Sequence, residues 1–458
     1  MFKKIGKFID DNYSSHLFSS GKFFGILGPV IIDQFFMFLI AVLTTAMISS
    51  SSQDSVSAVS LVSPLVYLTM TLFTSISNGG AVVVAQYKGG GEESKLRHAA
   101  GQTIFSTIIV GFAVAGIVAI GAKPIVDLLF GTVGESICGK AVEYLVGMGI
   151  SFIPFTLYIS GFCILRGMGE SKTCLVLTIV INVVHFVLSF IFLNILHLDV
   201  MGTALSFTLA RVIGGLTAMI AVMRKHGHIR VRFSDIFKID GGMQKAIFKM
   251  GIPFAIEQCF FNGGTLIAQT YMVFLGDIAV AANAIANSLF SLFYAAGTAV
   301  SSTALTIIGQ SIGAGDIPLA KRYGSRLIWL GNAVNTLSVV IMLPLTPILL
   351  LMYSPEANTI PFIYPLMFIG CAFMPFVWAN ANIMPSVLRA AGDANYTSIV
   401  SLVAMWVVRV GLGWLLALPL GLGINGVWVA MGIEWIVKTI AFRIRFKGEK
   451  WYANKLVS

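Results

Sequence analysis

Long runs of apolar residues alternate along this chain with short polar segments. A membrane-spanning helix needs about 20 apolar residues, whereas the strands of a membrane barrel alternate polar and apolar positions. These runs are apolar on every side, so the pattern predicts helices. The predicted spans fall into two sets of six, at 23–47, 58–86, 99–121, 142–163, 173–195 and 201–223, and at 247–272, 279–311, 325–350, 360–384, 397–419 and 425–442.

The composition agrees with this pattern. Of the 458 residues, 57% are hydrophobic and only 11% are charged. A soluble domain carries about 25% charged residues, so this chain lacks the polar residues to cover a water-facing surface. We therefore predict an all-α integral membrane protein.

The net charge of +10 would suit a nucleic-acid-binding protein, but its distribution does not. Nearly all Lys and Arg residues fall in alternate loops, and the loops on the other side hold only Lys123 and Lys140. Basic residues concentrate in cytoplasmic loops. We expect both termini in the cytoplasm, an inner (plasma) membrane location, the lipid bilayer as a partner and no nucleic acid. Residues 1–22 resemble a short amphipathic helix lying on the cytoplasmic surface.

The chain repeats itself at an offset of 224 residues. Matched positions include Pro29 with Pro253, Asp33 with Glu257, Gln34 with Gln258, the segments 86–92 and 310–316, and, one residue out of step, 165–170 and 388–393. Two six-helix repeats follow, and they run parallel because six is even. The predicted organisation is an N-lobe at 23–223, a linker at 224–246, a C-lobe at 247–442 and a cytoplasmic tail at 443–458.

These motifs resemble a known family over about residues 22–445. Pro-x-x-Ile-[Asp/Glu]-Gln opens helices one and seven, Gln-x-x-Gly-x-Gly follows helices two and eight, and Leu165-Arg166-Gly167-Met168-Gly169 follows helix four. Together they are similar to the MATE (multidrug and toxic compound extrusion) transporters. The resemblance implies two six-helix lobes around a central cleft. It also implies alternating access and export of small organic, often cationic, compounds in exchange for H⁺ or Na⁺, with no other cofactor and a monomeric protein.

The resemblance does not extend to the family's best-known ion-coupling carboxylates. The matching positions hold Phe261 and Asn262 on helix seven, Asn380 and Asn382 on helix ten, Thr44 and Thr45 on helix one, and Phe186 four residues after Asn182 on helix five. The coupling ion, H⁺ or Na⁺, and the NorM-like or DinF-like branch therefore stay open.

Asp33 and Glu257 are the first candidates for ion coupling. Placing a charged side chain at mid-membrane costs about 2.5–3.5 kcal/mol of free energy on insertion scales. Such a side chain is therefore found only where it is paired, protonated or in contact with water. Each carboxylate follows a proline by four residues, Pro29 or Pro253. A proline ring disturbs the preceding turn and frees a backbone carbonyl, which predicts a bend and a plausible cation or proton site.

A structural role for these two carboxylates is the alternative. Each would hold the loosened turn in place, with Gln34 or Gln258 completing the hydrogen bonds. The symmetric placement favours this interpretation slightly, because both repeats would need the same device. Glu257 nevertheless remains the first candidate for coupling.

Other charged residues compete for the coupling role. Arg409 and Glu434 lie at similar depths on adjacent helices, which predicts an intramembrane ion pair. His185 corresponds to Arg409 in the repeat. It follows Asn182 on helix five and lies one residue before the position where the family has an acid. A histidine titrates at about pH 6.5. We expect either a proton site there or a structural contact that holds two helices together.

Four further polar residues are candidates for the cleft: Asn78, Gln269, Asn283 and Asn287. Such residues also join membrane helices to each other. The sequence gives no support for metal or enzyme chemistry through HExxH or CxxC motifs, since both are absent.

Three other functions compete with export of organic compounds. The nearest is a flippase for lipid-linked or polysaccharide precursors, which would favour a basic cleft. A membrane-embedded transferase should carry clustered Asp, His or Arg residues in long loops, and these loops are short. A receptor or scaffold function would not explain why the two repeats carry buried acids at matched positions.

Overall fold

The structure is a computed structural model. It describes residues 10–48, 53–130, 134–224, 229–351, 353, 355–453 and 456. The first nine residues of the predicted amphipathic N-terminus lie outside that range, as do 225–228 of the linker and Lys455 of the tail; the side chains of Thr44 and Thr45 are also outside it.

Twelve long helices make up most of the described chain, which contains no β-strand. They are α1 Ser20–Ile48, α2 Gln53–Gly90, α3 Glu93–Phe130, α4 Glu135–Met168, α5 Ser171–Ile195, α6 Asp199–Met223, α7 Gly241–Val273, α8 Asp277–Gly313, α9 Ile317–Leu351, α10 Ile360–Ala390, α11 Ala394–Ala417 and α12 Gly423–Lys447. The predicted all-α architecture of two six-helix sets is confirmed.

Nine helices of the described chain are long and apolar enough to cross a membrane by length and composition. Helices α1, α7 and α12 each carry a buried acid: Asp33, Glu257 and Glu434.

The chain forms two compact units whose boundaries fall inside helices. One unit comprises 1–34 and 256–458, and the other comprises 35–255. The first part of α1 therefore packs with the later helices, and the first part of α7 packs with the earlier ones.

Helix α4 is the centre of the unit formed by 35–255. Its apolar span is 67% buried, against 22% for α5. Small residues allow close approach: a Cβ added at Gly147 would lie 2.6 Å from the Ala204 Cβ, and one at Gly161 would lie 3.0 Å from the Ala218 Cβ. Helix α6 consequently packs along one side of α4.

Three helices contain π-helical turns. These turns span Phe190–Ile195 in α5, Met374–Trp378 in α10 and Ala404–Leu412 in α11. A π turn interrupts the normal backbone pairing and leaves carbonyls available to other groups. The carbonyl of Val377 accepts a hydrogen bond from Thr439 Oγ1 at 3.1 Å, which joins α10 to α12.

The linker is anchored to α3. Its short helix, Phe233–Phe237, carries Asp235, which pairs with Arg97 Nε at 2.8 Å. Gln102 Nε2 donates to the carbonyls of Asp235 at 3.1 Å and Lys238 at 2.9 Å. The basic segment that the sequence predicts as a connection is thus held by specific contacts at the end of a membrane helix.

The glycines of the Leu-Arg-Gly-x-Gly motif have separate structural roles. Gly169 ends α4 with a φ of 87°, a left-handed conformation that glycine adopts without strain. Gly167 faces α2, and a Cβ there would lie 2.6 Å from the carbonyl oxygen of Ala81.

Gly167→Val is expected to destabilise the protein, because backbone on α2 would have to move to make room. The matched control is Gly139→Val near the other end of α4, where a Cβ would have no atom within 4 Å. Melting temperature in detergent should fall for the first variant and change little for the second. Equal effects would mean that the α2–α4 approach is not the cause.

Candidate functional site

Glu257 forms a buried ion pair with Arg389, which lies in the last turn of α10. Nη2 of Arg389 is 2.7 Å from Oε1 and 2.5 Å from Oε2 of Glu257. Ser398 Oγ donates to Oε2 at 2.8 Å, and Arg389 Nε donates to Thr397 Oγ1 at 3.1 Å. The side chains of Glu257 and Arg389 are only 9% and 14% exposed. The carboxylate therefore meets both a positive charge and a hydroxyl.

The matching residues of the first repeat, on α1 and α4, also make polar contacts. Arg166, the counterpart of Arg389, donates from Nη2 to Asn78 Oδ1. Cys163 Sγ also lies 3.5 Å from that oxygen. Asp33 is buried on α1, and its neighbour Gln34 accepts a hydrogen bond from Thr298 Oγ1 at 2.9 Å. The Arg166 guanidinium thus contacts an amide oxygen on α2, and Gln34 contacts a hydroxyl on α8.

The helices α1 and α7 continue through Pro29 and Pro253. Each ring removes one backbone donor and displaces the carbonyl four residues earlier. Gln258 is half-buried beside Glu257 on α7. The bend expected at these prolines stays a prediction.

Arg409, Glu434 and Lys438 form a second charged cluster. Arg409 Nε lies 2.7 Å from Glu434 Oε2, and Lys438 Nζ lies 3.5 Å from Glu434 Oε1. The Glu434 side chain is 1% exposed. The Arg409 guanidinium also lies 5.4 Å from the centre of the Phe261 ring. One carboxylate therefore serves two cations, and the cluster carries a net positive charge when all three groups are ionised.

His185 is buried on α5. Its Nε2 lies 3.3 Å from Ser189 Oγ, and its ring stacks on Phe207 with 4.0 Å between centroids. Asn182, one turn earlier, donates to the carbonyl of Thr178 at 2.8 Å. Hydroxyl and aromatic contacts hold His185 in place.

The polar cleft candidates fall into two groups. Asn283 is buried and accepts hydrogen bonds from Trp428 Nε1 at 3.0 Å and from Asn287 Nδ2 at 2.9 Å, so it joins α8 to α12. Gln269 and Asn287 are exposed in the chain by itself. Asn78 contacts Arg166, as described above.

Two charged residues of these clusters, Arg389 and Lys438, were not among the candidates from the sequence. Arg389 lies in a recognised motif, but the sequence places it in a basic loop and does not indicate that it reaches Glu257. Lys438 had a direct signal, since residues four apart share one helix face and Glu434 precedes it by four.

The chain matches a known family model twice. The MatE model matches residues 29–191 and 253–415. The two matches begin at Pro29 and Pro253, so they reproduce the offset of 224 residues read from the sequence.

Curated relatives cover nearly the whole chain. An uncharacterised transporter of Bacillus subtilis, YisQ, is 26% identical over 436 residues, which is 93% of this chain and 94% of the relative. A probable multidrug resistance protein of Thermotoga maritima, NorM, is 23% identical over 92% of this chain and 91% of the relative.

Solved structures share the fold. A MOP-superfamily transporter from Pyrococcus furiosus superposes with a TM-score of 0.84 at 19% identity, covering 93% of this chain and 95% of that one. An outward-facing multidrug resistance MATE transporter gives a TM-score of 0.83 at 18% identity, covering 93% and 95%.

The predicted resemblance is therefore confirmed, and the flippase alternative is not favoured. Because the model matches more than half of the chain, once in each repeat, this chain belongs to the MatE family of multidrug and toxic compound extrusion transporters, which are membrane transporters and not enzymes.

Proposed function

We propose that this chain is a secondary active exporter. It moves small organic compounds, cationic or amphipathic, out of the cell by alternating access, in exchange for H⁺ or Na⁺ entering. The MatE match in both repeats carries this proposal, supported by relatives described as probable multidrug resistance proteins.

The same proposal includes the setting of the transporter. It acts as a monomer in the inner (plasma) membrane with both termini in the cytoplasm. The orientation rests on the basic loops, because only Lys123 and Lys140 lie on the opposite side.

Glu257 remains the first candidate for coupling, and its contacts suggest how it would act. In the ion pair, the Arg389 guanidinium occupies the side of the carboxylate that faces α10, with contacts to both carboxylate oxygens. Coupling then requires exchange: H⁺ or Na⁺ takes the place of the guanidinium at the carboxylate. Release of Arg389 changes the contacts of α10, so that this helix responds to ion binding. Oxygen atoms of Glu257 and Ser398 are the ligand type that hard cations take.

Asp33 and His185 are the alternative coupling groups. Both are buried inside membrane helices. A histidine couples only to protons in this setting, whereas a carboxylate serves either ion. A requirement for Na⁺ would therefore remove His185 from consideration and leave the carboxylates.

Efflux of a cationic dye from inverted membrane vesicles tests the proposal. The pH gradient and the Na⁺ gradient are collapsed separately, each with its own ionophore. We expect one collapse to abolish dye transport while the other leaves it intact. Transport that survives both collapses would remove ion-coupled antiport from consideration.

A further inference from the structure

The first repeat contains a buried arginine that pairs with no acid in the part of the chain that the structure describes. Arg211 lies on α6 and is 4% exposed. Among the described residues, no carboxylate lies within ion-pair distance of its guanidinium, whereas Arg389, Arg409 and Arg445 each pair with one. A buried cation without a counter-charge is unfavourable, so Arg211 marks a place where negative charge would be stabilised.

Its contacts leave part of the guanidinium available. Nη1 donates to Ser151 Oγ, whose own hydroxyl donates to the carbonyl of Met148. Nη2 lies 3.4 Å from the thioether sulfur of Met70. Arginine has five N–H donors, and a thioether is a weak acceptor on a flexible side chain. An anionic oxygen that displaced Met70 would gain a charge-assisted hydrogen bond.

Two aromatic rings lie close to the guanidinium. Its central carbon lies 5.0 Å from the centre of the Phe155 ring and 5.1 Å from that of Phe207. Phe207 in turn stacks on His185. The surroundings therefore suit an anion that is attached to a flat, apolar body rather than a small hydrated ion.

One face of α4 extends this aromatic surface. Phe155, Tyr158 and Phe162 follow at intervals of three and four residues, with neighbouring ring centres 6.2 Å and 5.9 Å apart. This spacing places side chains on one side of a helix. Phe155 and Phe162 are half-buried, so parts of this face are accessible.

The far end of that face carries a second guanidinium. Arg166 lies 5.6 Å from the Phe162 ring centre and donates to Asn78. Eleven residues separate Phe155 from Arg166, about 16 Å along a helix. A row of rings thus runs between Arg211 and Arg166 within a single compact unit.

We propose that this face of the first repeat binds aromatic carboxylates. Arg211 holds the carboxylate, and Phe155 and Phe207 pack against the aromatic body. The idea that this ligand is transported cargo rests on the proposed function, whereas binding itself does not.

Equilibrium binding of 2-naphthoate to the purified full-length protein in detergent tests the site. The uncharged 2-naphthamide has the same ring and serves as the ligand control. We expect naphthoate, and not naphthamide, to bind and to raise the melting temperature. Arg211→Gln should weaken naphthoate binding at least about tenfold, and Arg211→Lys should retain part of it. Arg224→Gln, at the exposed end of the same helix, should bind as the unchanged protein does.

Three results would overturn the proposal. Equal melting shifts by naphthoate and naphthamide on the unchanged protein would exclude a carboxylate site, even if Arg211→Gln failed to fold. Wild-type binding by a folded Arg211→Gln would exclude this arginine. A melting temperature that follows chloride concentration, with no competition from naphthoate, would mean that chloride occupies the site. Because no gradient is used, failure of coupled transport leaves these results unchanged.

Discussion

Glu257→Gln is expected to lower the free energy of unfolding by about 3–5 kcal/mol, the range found when one partner of a buried ion pair is removed. The amide would leave the Arg389 guanidinium buried, 14% exposed, without its negative charge. Arg389→Gln should cost a similar amount, since it leaves Glu257 charged and holding only the Ser398 hydroxyl.

The double variant Glu257→Gln/Arg389→Gln distinguishes the effect of losing the ion pair from the effect of leaving one charge without its partner. With both charges gone, two neutral amides remain, so we expect most of the lost stability to return. Glu356→Gln, at an exposed position of the same unit, is the matched control and should change little. Additive losses in the double variant would show that the ion pair is not what the single substitutions disrupt.

Buried thiols supply the measurement. Cys163, Cys174 and Cys371 are buried, so a thiol-reactive fluorophore reports their exposure as the detergent-solubilised protein is heated. Cys259 is exposed, so its reaction with the fluorophore gives the fluorescence that is present before heating. Melting midpoints compared across the unchanged chain, the three pair variants and the Glu356→Gln control then rank their stabilities.

Glu434→Gln is expected to be at least as damaging, again by about 3–5 kcal/mol or more. It removes the one carboxylate that faces both Arg409 and Lys438, so two cations would remain in an interior where Glu434 itself is 1% exposed. Of the two cations, Arg409 is closer, at 2.7 Å against 3.5 Å for Lys438. Attraction falls with distance, so Lys438→Met should cost less than Arg409→Met.

The rescue at this cluster differs from that at Glu257. Adding Lys438→Met to Glu434→Gln removes one of the two unmatched cations and should recover part of the stability, whereas the Glu257 pair should recover most of its loss. The same thiol-reactive melting assay ranks the variants. A Glu434→Gln protein as stable as the unchanged chain would mean that water solvates Arg409 or that another acid pairs with it.

The helical architecture could be predicted because its signals are long. Each apolar run is long enough to specify one helix, and the repeat from Pro29 to Pro253 fixes the division into two sets of six. The π turn at Ala404–Leu412 could not be predicted, since it changes hydrogen bonding within a helix and leaves the apolar pattern intact.

Side-chain partners could be predicted only where the positions of the residues along the sequence indicate the contact. Equal depth on adjacent helices suggested Arg409 with Glu434, and a separation of four could have suggested Lys438 with Glu434. The contact between Glu257 and Arg389 spans 132 positions and depends on how α7 packs beside α10.

The compact units could not be predicted either. Sequence symmetry suggests a division in the linker, whereas the packed units divide α1 after Gln34 and α7 after Ala255. Packing depends on the residues that each part of a helix presents to its neighbours, and periodicity gives no boundary within a continuous helix.

The most direct test of ion-coupled export through Glu257 uses reconstituted liposomes with an imposed H⁺ or Na⁺ gradient. Uphill movement of a cationic dye is compared between the unchanged chain and the Glu257→Gln/Arg389→Gln variant, with melting confirming that both are folded. We predict that one gradient drives accumulation by the unchanged chain and that the variant only equilibrates the dye. Accumulation by the folded variant equal to that of the unchanged chain would contradict the coupling role of Glu257.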